Sequence, residues 1–201
     1  MKRIVIVDYG LGNLRSVSRG LEKSGAVPLI TSEIEEISAA EGIVLPGVGA
    51  FRVGMEQLAA MRQGITDAAR SVPVLGICLG MQMLFEWSEE EGHHAGLGLI
   101  PGTVRKFPRT PGYKIPHVGW NTLHIVLPDH PLMDGIPEGS YVYFVHSFYA
   151  GTQFPNTVAT TRFICPFASA VASGTIHGVQ FHPEKSGAVG LQILKNFIGL
   201  V

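Results

Sequence analysis

The chain has 201 residues, of which 46% are hydrophobic and 15% are charged, with 15 Lys and Arg against 16 Asp and Glu. This composition excludes a disordered chain, and the formal net charge of −1 leaves no basic excess to favour electrostatic nucleic-acid binding. A chain of this length buries about 70% of its unfolded surface, so we expect one domain, residues 1–201, that needs no disulfide or metal.

The first third of the chain alternates strand patterns with helix patterns. Apolar, β-branched runs predict four strands, at residues 2–10, 26–31, 42–47 and 73–78. Asn13 is placed to cap a helix that Gly25 ends, and a further helix is predicted over residues 55–69. Uniformly apolar strands that alternate with helices favour a parallel sheet covered on both faces.

The second half has shorter apolar runs separated by Pro and Gly turns. They predict five more strands, at residues 117–127, 140–148, 157–163, 168–173 and 175–181. A final helix is predicted over residues 187–199. The expected fold class is therefore three-layer α/β: a mostly parallel central sheet, helices on both faces and antiparallel strand additions in the C-terminal half.

A predicted strand runs into a predicted helix through Gly76-Ile77-Cys78-Leu79-Gly80, which is the Gly-x-nucleophile-x-Gly pattern of a nucleophile elbow. The turn is so tight that side chains at 76 and 80 would clash, which explains both glycines. It holds Cys78 at the N-terminus of a helix, where the dipole and free N–H groups favour a thiolate. The alternative is that Cys78 is an ordinary buried cysteine.

His182-Pro183-Glu184 follows the last predicted strand. Proline excludes helix, so we expect extended backbone in which positions i and i+2 project to the same side. A carboxylate beside one imidazole nitrogen fixes the tautomer and leaves the other nitrogen to act on a thiol. Alone, this fragment could be a surface pair. Together with the elbow, it predicts a Cys78–His182–Glu184 triad.

The segment LPGVGAF, residues 45–51, ends a strand in a glycine turn one βα unit before the elbow. The backbone at Gly47 and Val48 offers N–H groups without obstruction. With the N–H of Leu79, it is a candidate oxyanion hole.

Several other features carry less chemistry. Gly10-Leu11-Gly12 has Arg15 where a dinucleotide-binding loop needs its third glycine, and His93-His94 has no partner at metal-ligand spacing. We therefore expect no cofactor and no metal. The apolar run at 4–7 is too short for a signal peptide, and the stretch at 72–81 is too short to span a bilayer. A cytoplasmic chain without membrane contact is expected.

The motifs together resemble the class I, triad-type glutamine amidotransferases over nearly the whole chain. Within that family they resemble most the branch of glutaminase subunits that serve imidazole glycerol phosphate synthases. The triad motifs specify only the family, and Met81 replaces the His usual in the anthranilate branch. The branch is indicated by DYGLGNLRSV at 8–17, IPHVGWN at 115–121 and YFVHSFYA at 143–150.

The resemblance implies hydrolysis of glutamine to glutamate and ammonia by Cys78, His182 and Glu184. By motif position it also implies which residues bind the substrate. The substrate's amino-acid end is expected to contact Gly49, Gln82, Glu90, Ser147 and Phe148.

The resemblance also implies a partner, a separate (β/α)8-barrel cyclase that uses the ammonia to make imidazole glycerol phosphate. A surface this poor in charge fits such a covered face. The residues expected at or beside it are Asn13, Trp120, Tyr143 and Lys185, although Trp120 and Tyr143 also suit a core. Because such coupling would prevent waste of glutamine, we expect the free chain to have the Val48 N–H turned away from Cys78.

Three alternatives remain open from the sequence. The first is a glutaminase subunit of another synthase, of the anthranilate or aminodeoxychorismate type. The second is a free-standing cysteine hydrolase, and the third is a catalytically silent regulatory subunit. The sequence gives neither the affinity for the partner nor the role of Cys165.

Overall fold

The structure, a computed structural model, describes residues 2–151 and 156–201 of the chain. Its strands, in chain order, are β1 (Arg3–Val7), β2 (Val27–Thr31), β3 (Gly42–Leu45), β4 (Val74–Ile77), β5 (Phe85–Ser88), β6 (His94–Ala95), β7 (Ile100–Lys106), β8 (His117–Thr122), β9 (His124–Ile125), β10 (Tyr141–His146), β11 (Phe148–Ala150), β12 (Thr157–Arg162), β13 (Pro166–Ser173) and β14 (Ile176–Val179). Its helices are α1 (Leu14–Lys23), α2 (Ile34–Ser38), α3 (Phe51–Leu58), α4 (Arg62–Ala68), α5 (Leu79–Met83) and α6 (Gly187–Leu200).

The central sheet has eight strands in the order β2-β1-β3-β4-β14-β13-β12-β9. The pairs from β2 to β14 are parallel, and those from β14 to β9 are antiparallel. Strand β14 is therefore the one that joins the two parts. In its parallel pairing with β4, Val179 lies opposite Ile77, so the residues that follow both strands leave the sheet at the same edge.

The central sheet is covered on both faces, and successive residues of β1 show the two sides. Val5 and Val7 belong to one hydrophobic core, with residues of α2 to α5, while Ile4 and Ile6 belong to a second core, with residues of α1 and α6. This alternation is the period of two that a strand imposes. The expected α/β class, with helices on both faces and antiparallel additions in the C-terminal half, is confirmed.

Two smaller sheets lie beside the central one. Strands β8 and β10 form an antiparallel two-stranded ribbon, in which Trp120 lies opposite Tyr143 and His117 lies opposite His146. Strands β11, β7, β5 and β6 form a four-stranded sheet. The sequence analysis assigned no strand to β5, β6 or β7.

The single helix predicted over residues 55–69 is wrong. The chain forms α3 and α4 instead, with a turn in which the Met61 N–H donates to the Leu58 carbonyl at 2.9 Å. Leu58, Met61 and Ile65 are all buried. Because their spacing of three and four continues across the turn, apolar periodicity alone does not reveal the break.

The predicted strand 2–10 ends earlier than expected, at Val7, and the helix that follows begins as expected at Asn13. The Asn13 side chain accepts from the Ser16 N–H, and Gly25 follows the helix with a φ of +100°. None of the helices within the described residues is long and apolar enough to cross a membrane.

Candidate active site

Cys78 lies in the tight turn between β4 and α5. Its backbone has φ of 53° and ψ of −107°, a region that residues with a side chain rarely adopt. A Cβ at Gly76 would come within 2.7 Å of the Met81 backbone, and one at Gly80 would collide with the Leu45 carbonyl oxygen. Both glycines of the elbow are therefore required by close backbone packing, and the turn holds the thiol at the carboxyl edge of the sheet.

His182 leaves the sheet at the same edge, three residues after β14 ends. Its Nδ1 lies 2.9 Å from Oε1 of Glu184, and both side chains are almost completely buried. The extended backbone expected through Glu184 is wrong beyond His182, because Pro183–Lys185 forms a 3₁₀ turn. The turn, rather than a strand's alternation, brings the carboxylate to the ring.

The His182 ring lies between two groups that favour its charged form. Burial lowers the pKa of His182, but Cys78 and Glu184 raise it by more, to about 9. Its Nε2 is buried and has no hydrogen-bond partner among the described residues. The site therefore favours an imidazolium near neutral pH, with Nδ1 bound to Glu184 and Nε2 available to a reacting group.

The loop after β3 turns a carbonyl toward the elbow. The Leu79 N–H donates to the Gly47 carbonyl oxygen at 3.3 Å. Because C=O and N–H point in opposite directions across a trans peptide, the Val48 N–H points away from Leu79. The Tyr9 hydroxyl donates to the Pro46 carbonyl and supports this loop. In this arrangement, the N–H of Leu79 is occupied and an oxyanion hole is not formed.

A cleft of about 210 Å³ opens above Cys78. It is lined by every residue that the sequence analysis assigned to substrate, together with two of the oxyanion candidates: Val48, Gly49, Leu79, Gln82, Glu90, Ser147 and Phe148. A wider cleft of about 1090 Å³ shares Glu90, Ser147 and Phe148 with it. The smaller cleft thus connects to a broad opening.

Glu90 links this cleft to the glycine loop. Its Oε2 accepts from the Phe51 N–H at 2.7 Å, at the first residue of α3. Burial raises the pKa of Glu90, although the Phe51 N–H opposes this. One carboxylate oxygen thus anchors the end of the loop, while the side chain still lines the cleft.

Three of the four residues expected at a partner surface form one cluster. Trp120 is 55% exposed, and its ring meets that of Tyr143 edge-on at 6.0 Å between centroids. The Lys185 ammonium lies 5.9 Å from the Tyr143 ring centre. Asn13 is exposed at the start of α1, and no hydrogen bond or ring contact joins it to this cluster within residues 2–151 and 156–201.

Sequence reasoning missed Gln180, whose Nε2 lies 3.7 Å from the Cys78 sulfur. Gln180 is fully buried and comes two residues before His182, so the alternation applied to His182 and Glu184 points to it as well. It also missed Tyr9, which follows β1. Since the carboxyl ends of parallel strands meet at one edge, that position was a detectable signal.

Comparison with known proteins agrees with this geometry. The family described as glutamine amidotransferase class-I matches residues 5–200. The chain is 53% identical over 203 residues to imidazole glycerol phosphate synthase subunit HisH of Methanosarcina barkeri, with 100% of both chains covered. It is 49% identical to the subunit of the same name from Synechococcus sp., with 99% of this chain and 94% of that one covered.

Solved structures show the same fold at low sequence identity. PurLQS from Thermotoga maritima has a TM-score of 0.76 at 22% identity, with 99% of each chain covered. The glutaminase domain of CTPS from Trypanosoma brucei has a TM-score of 0.69 at 18% identity, covering 100% of this chain and 95% of that one.

Proposed function

The chain belongs to the class-I glutamine amidotransferase family, and from this premise we propose that it is the glutaminase subunit of an imidazole glycerol phosphate synthase in histidine biosynthesis. The observation that carries the chemistry is the buried His182–Glu184 pair beside Cys78 in its elbow. Full-length relatives at about half identity favour this synthase over those of the chorismate branch. On this proposal residues 1–201 act as one amidotransferase domain in the cytoplasm.

The first half of the reaction releases ammonia. The Cys78 thiolate attacks the side-chain amide carbon of glutamine, and the carbonyl π electrons move to oxygen to give a tetrahedral oxyanion. When the C–N bond breaks, Nε2 of the His182 imidazolium gives its proton to the departing nitrogen. Ammonia and a glutamyl thioester on Cys78 are formed.

The second half restores the enzyme. Neutral His182 accepts a proton from water as the water oxygen attacks the thioester carbon. The C–S bond then breaks to give glutamate and the Cys78 thiolate beside an imidazolium. Glu184 holds Nδ1 throughout and stabilises the charged ring without being consumed.

We assign the amino-acid end of glutamine to the cleft beside the elbow. The Glu90 carboxylate suits an ammonium group, because charge-assisted hydrogen bonds are the stronger ones. Both hydrogens of the Gln82 amide are used by the Phe148 carbonyl and Gln180, so its oxygen is the atom left to accept from substrate. Backbone groups of Ser147 and Phe148 complete this end of the cleft.

We propose that the Gly47 carbonyl, which accepts from the Leu79 N–H, holds the activity of the free chain back. It repels a developing oxyanion, whereas rotation of the Gly47–Val48 peptide would aim the Val48 N–H at it and free the N–H of Leu79. One oxyanion donor contributes about 10²–10³ in rate. We propose that the partner favours the rotated peptide through contacts near the 46–51 loop, since Val48 is 41% exposed.

This proposal predicts that the free chain is a poor glutaminase. Mixing it with the cyclase and the cyclase's ribonucleotide substrate should raise the rate of glutamate release by at least about 10²-fold, the value of one oxyanion donor. The measurement is glutamate formation with and without the partner, and with a chorismate enzyme as the control partner. Equal rates in all three would contradict the gate. No glutamate under any condition would contradict the function.

A glutaminase of this kind needs a synthase beside it, because ammonia released into water is protonated and stops being a nucleophile. We propose that the partner is a separate (β/α)8-barrel cyclase and that it covers the cluster formed by Trp120, Tyr143 and Lys185. Tryptophan and tyrosine are typical interface anchors, and Trp120 is exposed beside the active-site edge. The cluster is tied to the triad, because Lys185 follows Glu184 in the same turn.

We predict that Trp120→Ala weakens binding of the cyclase by at least about 30-fold, as hot-spot tryptophans contribute about 2 kcal/mol or more. Calorimetric titration measures this affinity. The matched control is Trp87→Ala, which removes another exposed tryptophan, on β5, outside the cluster. Equal loss of affinity in both variants, or no loss in Trp120→Ala, would place the interface elsewhere.

A further inference from the structure

A line of buried polar groups runs beneath the cleft, and its fixed point is the backbone carbonyl of Phe148. This oxygen lies 2.7 Å from Nδ1 of His146 and 3.0 Å from Nε2 of Gln82. A carbonyl oxygen only accepts hydrogen bonds, so both neighbours are donors. The Phe148 carbonyl therefore sets the direction of every hydrogen bond on either side of it.

On one side of the Phe148 carbonyl, the hydrogen bonds continue through His146 and His117. With its proton on Nδ1, neutral His146 accepts at Nε2, so Nδ1 of His117 donates to it across 3.0 Å. Nε2 of His117 then accepts from the Asn121 amide at 3.2 Å. Asn121 is fixed independently, since its Nδ2 also donates to the Arg162 carbonyl at 3.0 Å. The Phe148 carbonyl at one end and Asn121 at the other thus require the same tautomers, with the proton on Nδ1 in both His146 and His117.

Both histidines are neutral. Burial lowers the pKa of His117 to about 4. Burial also lowers the pKa of His146 to about 3, with His117 and His182 adding to the effect and the Phe148 carbonyl opposing it. Neither ring is therefore a proton carrier near pH 7.

On the other side of the Phe148 carbonyl, the hydrogen bonds continue through Gln82 and Gln180 to the sulfur of Cys78. Nε2 of Gln82 donates to Oε1 of Gln180 at 3.0 Å as well as to Phe148. Gln180 therefore turns its own Nε2 toward the Cys78 sulfur, 3.7 Å away. A thiolate gains from such a donor. One carbonyl thus links the orientation of His146 to the hydrogen bonding of Cys78.

Stability alone does not explain the two histidines. The His117 ring stacks on Phe144 and Phe163, with centroids 4.9 Å and 4.3 Å apart. Apolar side chains of similar shape would fit such aromatic walls, and replacing both partners of a buried hydrogen bond in this way can be nearly neutral for stability. Apolar side chains in their place could not fix the direction of the hydrogen bonds from Asn121 to the Phe148 carbonyl.

We propose that His146, held in one tautomer by His117, is a positioning residue of the glutaminase. Its Nδ1–H holds the Phe148 carbonyl in place. That carbonyl orients the Gln82 amide, which in turn orients the Gln180 amide toward the sulfur of Cys78. This inference rests on the proposed glutaminase function, in which it gives a role to two histidines that no step of the proposed reaction uses.

The test uses two amide variants of one side chain. His146→Asn places an amide N–H where Nδ1 stood and keeps the donor to Phe148, whereas His146→Gln moves its amide out to the Nε2 position and loses that donor. In complex with the cyclase, we expect kcat/KM for glutamine to fall about 100-fold in His146→Gln, the cost of a misplacement of about 1 Å. His146→Asn should stay near wild type. Alkylation of Cys78 by iodoacetamide should slow in the same order.

The matched control is His177→Asn, which changes another buried histidine outside this line. Thermal unfolding is measured for all variants, because a merely structural role makes activity follow stability and treats Asn and Gln alike. Equal activity in the two His146 variants overturns the inference. A wild-type complex that forms no glutamate overturns the proposed function instead, and the alkylation rates still test the positioning. If His146→Gln does not fold, His117→Leu replaces it, with the same fall expected.

Discussion

Cys78→Ala is expected to abolish glutamine-dependent synthesis by the assembled complex and to leave ammonia-dependent synthesis intact. Cys78 acts only in making ammonia, so supplying ammonia bypasses it. Removing a catalytic nucleophile costs about 10⁶-fold in kcat in comparable triad enzymes. The substitution keeps the Cβ in the strained turn at φ of 53°, so it removes the sulfur without changing the backbone requirement.

The measurement is product formation by the complex, first with glutamine and then with an ammonium salt at high pH. Cys165→Ala is the matched control, because it removes the other free cysteine, which lies outside the cleft. It should retain both activities. Loss of both activities in Cys78→Ala would mean that Cys78 has a structural role and would remove the assignment.

His182→Ala should cost nearly as much as Cys78→Ala, while Glu184→Gln should cost less. Losing the base in comparable triads costs about 10⁶-fold in kcat, and losing the orienting carboxylate costs about 10⁴-fold. The amide introduced by Glu184→Gln would still accept from Nδ1 but carries no charge. Glutamate release by the complex measures both variants. If they proved equally damaging at every pH, a purely orienting role for Glu184 would be excluded.

Glu184→Gln should also lower the pKa of His182. The wild-type value of about 9 is held up by Cys78 and Glu184 against burial, which lowers it. In the variant, one of these two groups no longer raises the pKa, so the ring loses its proton at a lower pH than in wild type. Titration of the isotope-labelled His182 ring by NMR shows this directly.

The local sequence determined the elbow. The glycines at 76 and 80 are required by backbone atoms within five residues or on the adjacent strand, so their spacing around Cys78 encodes the turn. The parallel sheet followed in the same way from uniformly apolar runs that alternate with helices. The strand before His182 was expected among the antiparallel additions, however, and only its parallel pairing with β4 in the folded chain brings Cys78 and His182 to one carboxyl edge.

Other features were set by the tertiary structure. The turn between α3 and α4 is hidden in an unbroken apolar period, and the 3₁₀ turn at Pro183–Lys185 replaced the expected extended backbone. His117 meets His146 only because β8 pairs with β10 in one register. The Gly47 carbonyl faces Leu79 because of a peptide orientation that the residue types leave open. Steric limits between residues close in the chain can be predicted from residue spacing. Strand register and peptide orientation cannot, because they depend on which segments pack together.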